Sequence, residues 1–76
     1  MPEEKKERAK PEIIEHIATF REHTNGWTKE LNIVSWNGND PVYDIRSWSM
    51  YHNNFGRGVS FTPDEWEILA GVFEDY

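Results

Sequence analysis

The sequence predicts a small α+β domain in which antiparallel strands are followed by one C-terminal helix. Residues 27–36 and 42–50 alternate with a period of two, which is typical of strands. Turn-forming residues separate these stretches, with Asn37-Gly38 the strongest dipeptide. The last fifteen residues open with the capping sequence Thr-Pro-Asp-Glu and continue with apolar residues at helical spacing.

The opening segment, residues 11–27, is ambiguous when its residues are taken alone. Its apolar side chains fit one face of a helix, while its β-branched content fits a strand equally well: Ile13, Ile14, Ile17 and Ala18. The local pattern slightly favours a helix, and Asn25-Gly26 then marks a turn. Residues 1–10 are dominated by charges and predict a disordered arm, which leaves residues 11–76 as the domain.

The alternation assigns the strand side chains to two faces of the predicted sheet. One set is apolar and is expected beneath the helix: Ile33, Ile45, Val59 and Phe61. The opposite set faces away from the helix: Asn32, Trp36, Arg46 and Trp48. Because one helix covers only one face, this second face is expected to be uncovered. Two tryptophans and an arginine on an uncovered face indicate a binding surface.

The C-terminal helix has the sharpest local signal in the chain. Thr62 is expected as its N-cap, Pro63 as its first residue and Glu65 as the closing residue of a capping box. Apolar side chains follow at helical spacing and form the packing side: Trp66, Leu69, Ala70, Phe73 and Tyr76. The acidic residues of this segment are expected on the solvent side.

The chain of 76 residues is expected to form one domain with a modest core, and such domains often need an additional source of stability. The chain has no cysteine, which excludes disulfides and thiolate metal sites. Its three histidines show no ligand spacing, and no cofactor is predicted. Oligomerisation remains, so a homodimer is expected.

No apolar run approaches the roughly 20 residues that span a bilayer, and the charged N-terminus does not resemble a signal peptide. The sequence therefore predicts a cytoplasmic protein without a membrane partner. It contains no paired nucleophile and base, no metal-ligand spacing and no phosphate-binding glycine loop, so an enzyme is not expected.

The formal net charge of -6 at first argues against a nucleic-acid partner. The excess acid is concentrated, however, in one segment. Residues 62–76 carry five acidic and no basic side chains, whereas residues 13–61 carry five acidic and four basic ones. If the charged side of the helix faces away from the tryptophans, the net charge says little about their surface.

The runs "VYDIRSW" and "GRGVSFTPDEWEIL" resemble the positive cofactor four family of transcriptional coactivators. That family has an aspartate-isoleucine-arginine strand followed by aromatic residues. A glycine-basic-glycine strand then leads into a proline-acidic-x-tryptophan helix. The longer run "GWTKELNIVSWNGNDPVYDIRSW" is similar to the bacterial YdbC-like branch, and the resemblance covers residues 11–75.

The resemblance implies a four-stranded antiparallel sheet followed by one helix, with residues 12–21 as the first strand. It also implies a homodimer with helices at the interface and single-stranded DNA running over the open sheet faces. Transcription or repair proteins are further candidate partners.

The residues expected to bind nucleic acid are Lys29, Asn32, Trp36, Arg46, Trp48 and Arg57. Aromatic rings stack on unpaired bases, and basic side chains neutralise phosphates. Each residue also has a purely structural interpretation. For the tryptophans it is burial in the core, and for Arg46 it is an ion pair with Asp44 or Glu30. For Asn32 and Arg57 it is simple solvation, and for Lys29 it is a stem that lies along the core side of the sheet with its charge in solvent.

Three departures from the eukaryotic pattern bear on phosphate binding. Ser49 replaces a second aromatic residue, Arg57 replaces a basic pair, and Asp40-Pro41 stands where the hairpin is lysine-rich. These differences predict weaker phosphate attraction than in the eukaryotic members.

Two functions fit these observations. The first is sequence-independent binding of single-stranded DNA, with RNA not distinguished, in transcription regulation, replication or repair. The alternative is a protein-interaction module in which the same Trp and Arg side chains anchor a partner.

Overall fold

The computed structural model describes residues 9–76, which form one antiparallel sheet and one helix. Each strand pairs with its neighbours in the chain, in the order β1-β2-β3-β4. The elements are β1 (Pro11–Glu22), β2 (Thr28–Trp36), β3 (Val42–Trp48), β4 (Phe55–Phe61) and α1 (Pro63–Asp75). The predicted four-stranded sheet with a C-terminal helix is confirmed. The disordered arm predicted for residues 1–10 lies outside the described residues, apart from Ala9 and Lys10.

β1 is a strand, so the helix favoured by its local pattern is wrong and the strand implied by the resemblance is confirmed. Its pairing with β2 shifts register three times, and each shift leaves one residue of β1 without a partner in the register: Ile14, Ile17 and Phe20. Three such β-bulges give the strand a repeat of three residues in place of two. A repeat of three is close to helical spacing, which explains the ambiguous pattern.

The predicted turns and the predicted helix cap are present. Asn37 and Gly38 have φ values of 55° and 79°, the left-handed pair that a tight hairpin needs. Gly26 has a φ of 91° between β1 and β2. The Thr62 hydroxyl accepts a hydrogen bond from the Glu65 backbone N–H, and the Glu65 carboxylate accepts one from the Thr62 backbone N–H. The capping box is therefore confirmed.

α1 packs on one face of the sheet, against β3 and β4. Trp66 stacks on Tyr43 with ring centroids 4.6 Å apart and meets Phe61 edge-on at 5.6 Å, so it is a packing residue as predicted. Much of the apolar side of α1 stays exposed in the single chain, including Ile68 and Phe73. α1 has 13 residues, and the described range contains no helix long and apolar enough to cross a bilayer.

The opposite face of the sheet holds most of the buried side chains, so the expectation that it is uncovered is wrong for the single chain. Five of the buried residues lie there: Glu30, Asn32, Val34, Asp44 and Trp48. The segment after β3 covers this face, since His52 and Phe55 approach Trp48 at 5.6 and 5.7 Å between ring centroids. The six-residue loop 49–54 thus covers this face, whereas the sequence predicted only the helix as a covering element.

Gly58 lies opposite Arg46 in the β3–β4 pair, and a Cβ atom there would collide with Arg46 and with the Ile45 carbonyl oxygen. We expect Gly58→Ala to lower the free energy of unfolding by about 1–3 kcal/mol, the usual effect of overpacking. Urea unfolding measures this loss. Gly71→Ala is the matched control, because a Cβ atom there has no neighbour within 4 Å and alanine favours the helix. Equal losses in the two variants would contradict the steric explanation.

Candidate nucleic-acid interface

The Trp/Arg face is the side of the sheet opposite α1. Its side chains come from β2 and β3: Thr28, Glu30, Asn32, Val34, Trp36, Val42, Asp44, Arg46 and Trp48. The strand register pairs Glu30 with Arg46 and Asn32 with Asp44. Strand alternation therefore brings two carboxylates and one arginine together at the centre of a single face.

An aromatic cluster lies on this face. Phe55 contacts Trp36 edge-on at 5.2 Å and Trp48 at 5.7 Å between ring centroids. Trp48 is 1% exposed, whereas Trp36 is partly accessible. Neither indole N–H has a hydrogen-bond partner within residues 9–76. An unsatisfied buried donor costs roughly 1–3 kcal/mol, so the two indole N–H groups lower the stability of the single chain.

Arg46 is held against this cluster by an ion pair. Its Nε and Nη2 donate to the two carboxylate oxygens of Asp44 at 2.8 and 3.0 Å, and its Nη1 donates to the Gly56 carbonyl at 3.1 Å. Its Cζ lies 4.7 Å from the centroid of the Trp36 ring. Asp44 is fully buried and also accepts from the Ser60 hydroxyl at 2.6 Å. Of the two expected ion pairs, the structure forms the one with Asp44.

A polar network surrounds Glu30 beside the cluster. Its Oε1 accepts from Asn32 Nδ2 at 3.0 Å, and its Oε2 accepts from Thr28 Oγ1 at 2.6 Å and from His52 Nε2 at 2.8 Å. His16 Nδ1 donates to Asn32 Oδ1 at 2.7 Å and lies 3.5 Å from Glu30 Oε1. Two imidazoles thus converge on one buried carboxylate. No group of three His, Cys, Asp or Glu side chains in the described part of the chain is arranged to hold a metal ion.

The Glu30 carboxylate stays charged at neutral pH. Its burial by itself raises the pKa, but hydrogen bonds from Thr28, Asn32 and His52 and the positive charge of His52 outweigh that effect. The pKa of Glu30 is therefore held below its ordinary value of 4.5. A fixed negative charge lies at the centre of the Trp/Arg face, next to the balanced Asp44–Arg46 pair.

Comparison with known proteins identifies the family of the chain that carries this face. Residues 23–71, more than half of the chain, match the family described as Transcriptional Coactivator p15 (PC4). The chain belongs to the PC4 family. The matched range includes all of β2 and β3 and therefore the whole Trp/Arg face, and the resemblance to positive cofactor four is confirmed. Membership of the PC4 family supports a nucleic-acid-binding, coactivator-like function.

A bacterial relative is consistent with this membership. An uncharacterized protein of Treponema pallidum (strain Nichols) is 41% identical over 54 residues. The alignment covers 71% of this chain and 64% of the relative, so the chain spans less than two thirds of that protein's length.

The structure brings four of the six predicted binding residues of this PC4-family chain onto the Trp/Arg face. Trp36 and Arg46 are partly accessible there. Trp48 and Asn32, by contrast, are 1% and 0% exposed. In this arrangement Trp48 cannot stack on a base, and the amide of Asn32 is occupied by Glu30 and His16.

Lys29 and Arg57 are exposed but are not part of this group. Lys29 pairs with Ser47 in the register and therefore faces the α1 side of the sheet. Arg57 lies in β4 between Gly56 and Gly58. The roles of both side chains as phosphate contacts remain predictions.

Sequence reasoning missed three residues at this face of the PC4-family chain: His16, His52 and Phe55. The bulges of β1 direct His16, and the 49–54 loop directs His52. The register shift in the β3–β4 pairing places Phe55 opposite Trp48, so strand alternation contains no signal for these three residues. Alternation along β2 did predict the position of Glu30, which shares its side of the strand with Asn32 and Trp36.

The depressed pKa of Glu30 predicts a pH dependence of stability. Because the unfolded chain binds the proton more readily, the stabilisation is present above about pH 4.5 and is lost as pH falls through the lower folded-state pKa. We expect the free energy of unfolding, measured with urea, to fall less steeply over this acid range in Glu30→Gln than in wild type. Glu15→Gln removes an exposed carboxylate from β1 and is the matched control. Identical acid profiles for Glu30→Gln and wild type would contradict the assignment.

Proposed function

We propose that this chain binds single-stranded DNA independently of sequence, by aromatic stacking and a few basic contacts on the Trp/Arg face. It acts as a cytoplasmic homodimer without enzymatic activity, in transcription regulation, replication or repair. The observation that carries the proposal is the Arg46 guanidinium lying over the Trp36 ring, on the sheet face of a PC4-family chain.

The accessible part of the face suits unpaired bases. Trp36 offers a ring on which a base can stack, an interaction worth about 1–3 kcal/mol per base. Arg46 has five N–H donors, and the three bonds to Asp44 and Gly56 leave two for a phosphate or a base edge.

Trp48 has a different role in the arrangement described here. It lies beneath His52 and Phe55 and supports both rings. Stacking of a base on Trp48, which the resemblance implies, would require the 49–54 loop to lift from the face. We therefore assign the first contacts with nucleic acid to Trp36 and Arg46.

The exposed apolar side of α1 supports the homodimer. Ile68, Val72 and Phe73 are 71%, 49% and 67% exposed, and Val59 of β4 is 49% exposed. A groove of about 430 Å³ runs between α1 and β4 and is lined mainly by apolar side chains. Contiguous apolar surface of this kind marks an interface in a small domain. A second copy packed there, helix against helix, would leave the Trp/Arg face free.

Titration with oligo-dT at two salt concentrations tests the binding proposal. We expect quenching of tryptophan fluorescence at low salt and weaker binding at high salt, because phosphate contacts release counterions. Competition with oligo-rU measures the preference between DNA and RNA. Absence of quenching at low salt would contradict the proposal and leave the protein-interaction role. Unchanged affinity in the Trp36→Ala/Arg46→Ala double variant would place the site elsewhere.

Light scattering tests the dimer. We expect twice the mass of one chain for wild type and the mass of a monomer for Ile68→Glu/Val72→Glu, which places two charges in the apolar interface. Glu67→Gln, on the charged side of α1, is the control and should remain dimeric. A monomeric wild type would contradict the homodimer.

A further inference from the structure

A pocket of about 340 Å³ opens on the Trp/Arg face between β1, β2 and the 49–54 loop. Its lining is Ile13, His16, Glu30, Asn32 and His52. Glu30 and Asn32 are almost fully buried, whereas the side chains of His16 and His52 are 49% and 39% exposed. The pocket is at the small end of ligand sites, which begin at about 300 Å³, and it fits one compact planar group.

The Glu30 carboxylate in the pocket suits N–H donors rather than phosphate, because its oxygens only accept hydrogen bonds. The Glu30 carboxylate is ionised and carries the only acidic group among the lining residues. Asp44, the nearest acidic residue along the face, is neutralised by the bidentate pair with Arg46. The imidazole of His16 is a flat ring, a type of side chain on which bases stack. A nucleobase that presents N–H groups is therefore the chemical class that the pocket suits.

The hydrogen bonds already made by Glu30 show which donor a ligand could replace. Its Oε1 accepts from one donor, and its Oε2 accepts from Thr28 and from His52. His52 comes from the covering loop, where it has a left-handed φ of 60° that is uncommon for a non-glycine residue. Of these donors, His52 is the one whose displacement leaves the strands intact.

We propose, on the basis of the function proposed above, that this pocket receives one guanine of the bound strand. The guanine N1–H and 2-amino groups are adjacent donors, and together they match the two oxygens of the Glu30 carboxylate. They replace the bond from His52, whose freed Nε2–H then faces the guanine 6-oxo group. Adenine, cytosine and thymine each present a single N–H donor group on the corresponding Watson–Crick edge. Glu30 is thus a specificity-determining residue on an otherwise sequence-tolerant surface.

Competition against labelled oligo-dT tests the proposal with wild-type protein. The competitors are oligo-dT strands that carry one central dG, dA, dC or deoxyinosine, which lacks the 2-amino group. We expect the dG strand to compete about tenfold better than oligo-dT, the usual discrimination of a bidentate contact. The deoxyinosine strand should lose most of that advantage. Equal competition by the dG, deoxyinosine and unmodified strands would overturn the proposal.

A matched pair of variants assigns the preference to Glu30. In Glu30→Gln the ratio of dG to dT affinity is expected to fall to about one, whereas in Glu15→Gln, which removes an exposed carboxylate, the wild-type ratio should remain. A wild-type ratio in folded Glu30→Gln would overturn the assignment. Failure of every strand to bind, oligo-dT included, would contradict the proposed function itself. Binding without base preference would contradict only the guanine pocket.

Discussion

Trp36→Ala is expected to weaken oligo-dT binding by about 5- to 150-fold, which corresponds to the loss of one base-stacking contact. Trp36 is the accessible tryptophan of the aromatic cluster, and the Arg46 Cζ lies 4.7 Å from its ring centroid. Both the stacking surface and the placement of the guanidinium therefore depend on this side chain. Fluorescence anisotropy with labelled oligo-dT measures the loss. The substitution also removes the contact with Phe55, so we expect the free energy of unfolding to fall, though by less than in the variant of the buried Trp48.

Trp48→Ala is the matched comparison, because it removes the same side chain from a buried position. We expect it to lower the free energy of unfolding by about 3–5 kcal/mol, since its ring is 1% exposed and supports Phe55 and His52. Any loss of affinity should follow the loss of folded protein. If folded Trp48→Ala binds as weakly as Trp36→Ala, the loop lifts on binding and Trp48 stacks directly. If Trp36→Ala binds like wild type, stacking on Trp36 is wrong.

Arg46→Ala is expected to lower the free energy of unfolding by about 3–5 kcal/mol and to weaken oligo-dT binding as well. The stability falls because the fully buried Asp44 carboxylate would lose its bidentate partner and keep only the Ser60 hydroxyl. The affinity falls because the guanidinium supplies the free donors of the face. Urea unfolding and anisotropy measure the two effects separately.

A second substitution separates these two contributions of Arg46. Asp44→Asn/Arg46→Gln removes both charges and keeps hydrogen-bonding groups in their place, so we expect it to recover most of the lost stability. Its affinity for oligo-dT should remain low, because no cation has been restored. Arg46→Lys keeps the charge without the planar, bidentate geometry, so its affinity for oligo-dT should lie between those of wild type and the charge-free double variant. Full affinity in the charge-free double variant would show that Arg46 acts only through folding.

The fold could be predicted from the sequence where each signal depends on neighbouring residues. The capping box joins Thr62 and Glu65, three positions apart, and the hairpin turn depends on Asn37 and Gly38 alone. Strand alternation correctly placed Arg46 and Trp48 on one face. It failed for β1, because three bulges change the repeat of that strand, and only the resemblance to a known family indicated a strand there.

The candidate site was predictable in part for the same reason. Asp44 and Arg46 lie side by side on the Trp/Arg face because β3 is a regular strand, and alternation alone predicts this placement. The approach of the Arg46 guanidinium to the Trp36 ring does not follow from the register, in which Arg46 lies opposite Glu30. The contact between His52 and Glu30 joins residues 22 positions apart through a loop without regular pattern. Neither side-chain alternation nor composition predicts the conformation of that loop.

The sequence by itself determined the order of β2, β3, β4 and α1 and which side chains of β2 and β3 share a face, because side-chain alternation and capping are set over a few residues. Only the tertiary structure decided which face is buried. The 49–54 loop folds over Trp48, while α1 leaves much of its own apolar side exposed. Burial depends on where distant segments meet. Of the two candidate stacking tryptophans, that packing buries Trp48 and leaves Trp36 partly accessible, and it places the Glu30 carboxylate between two imidazoles.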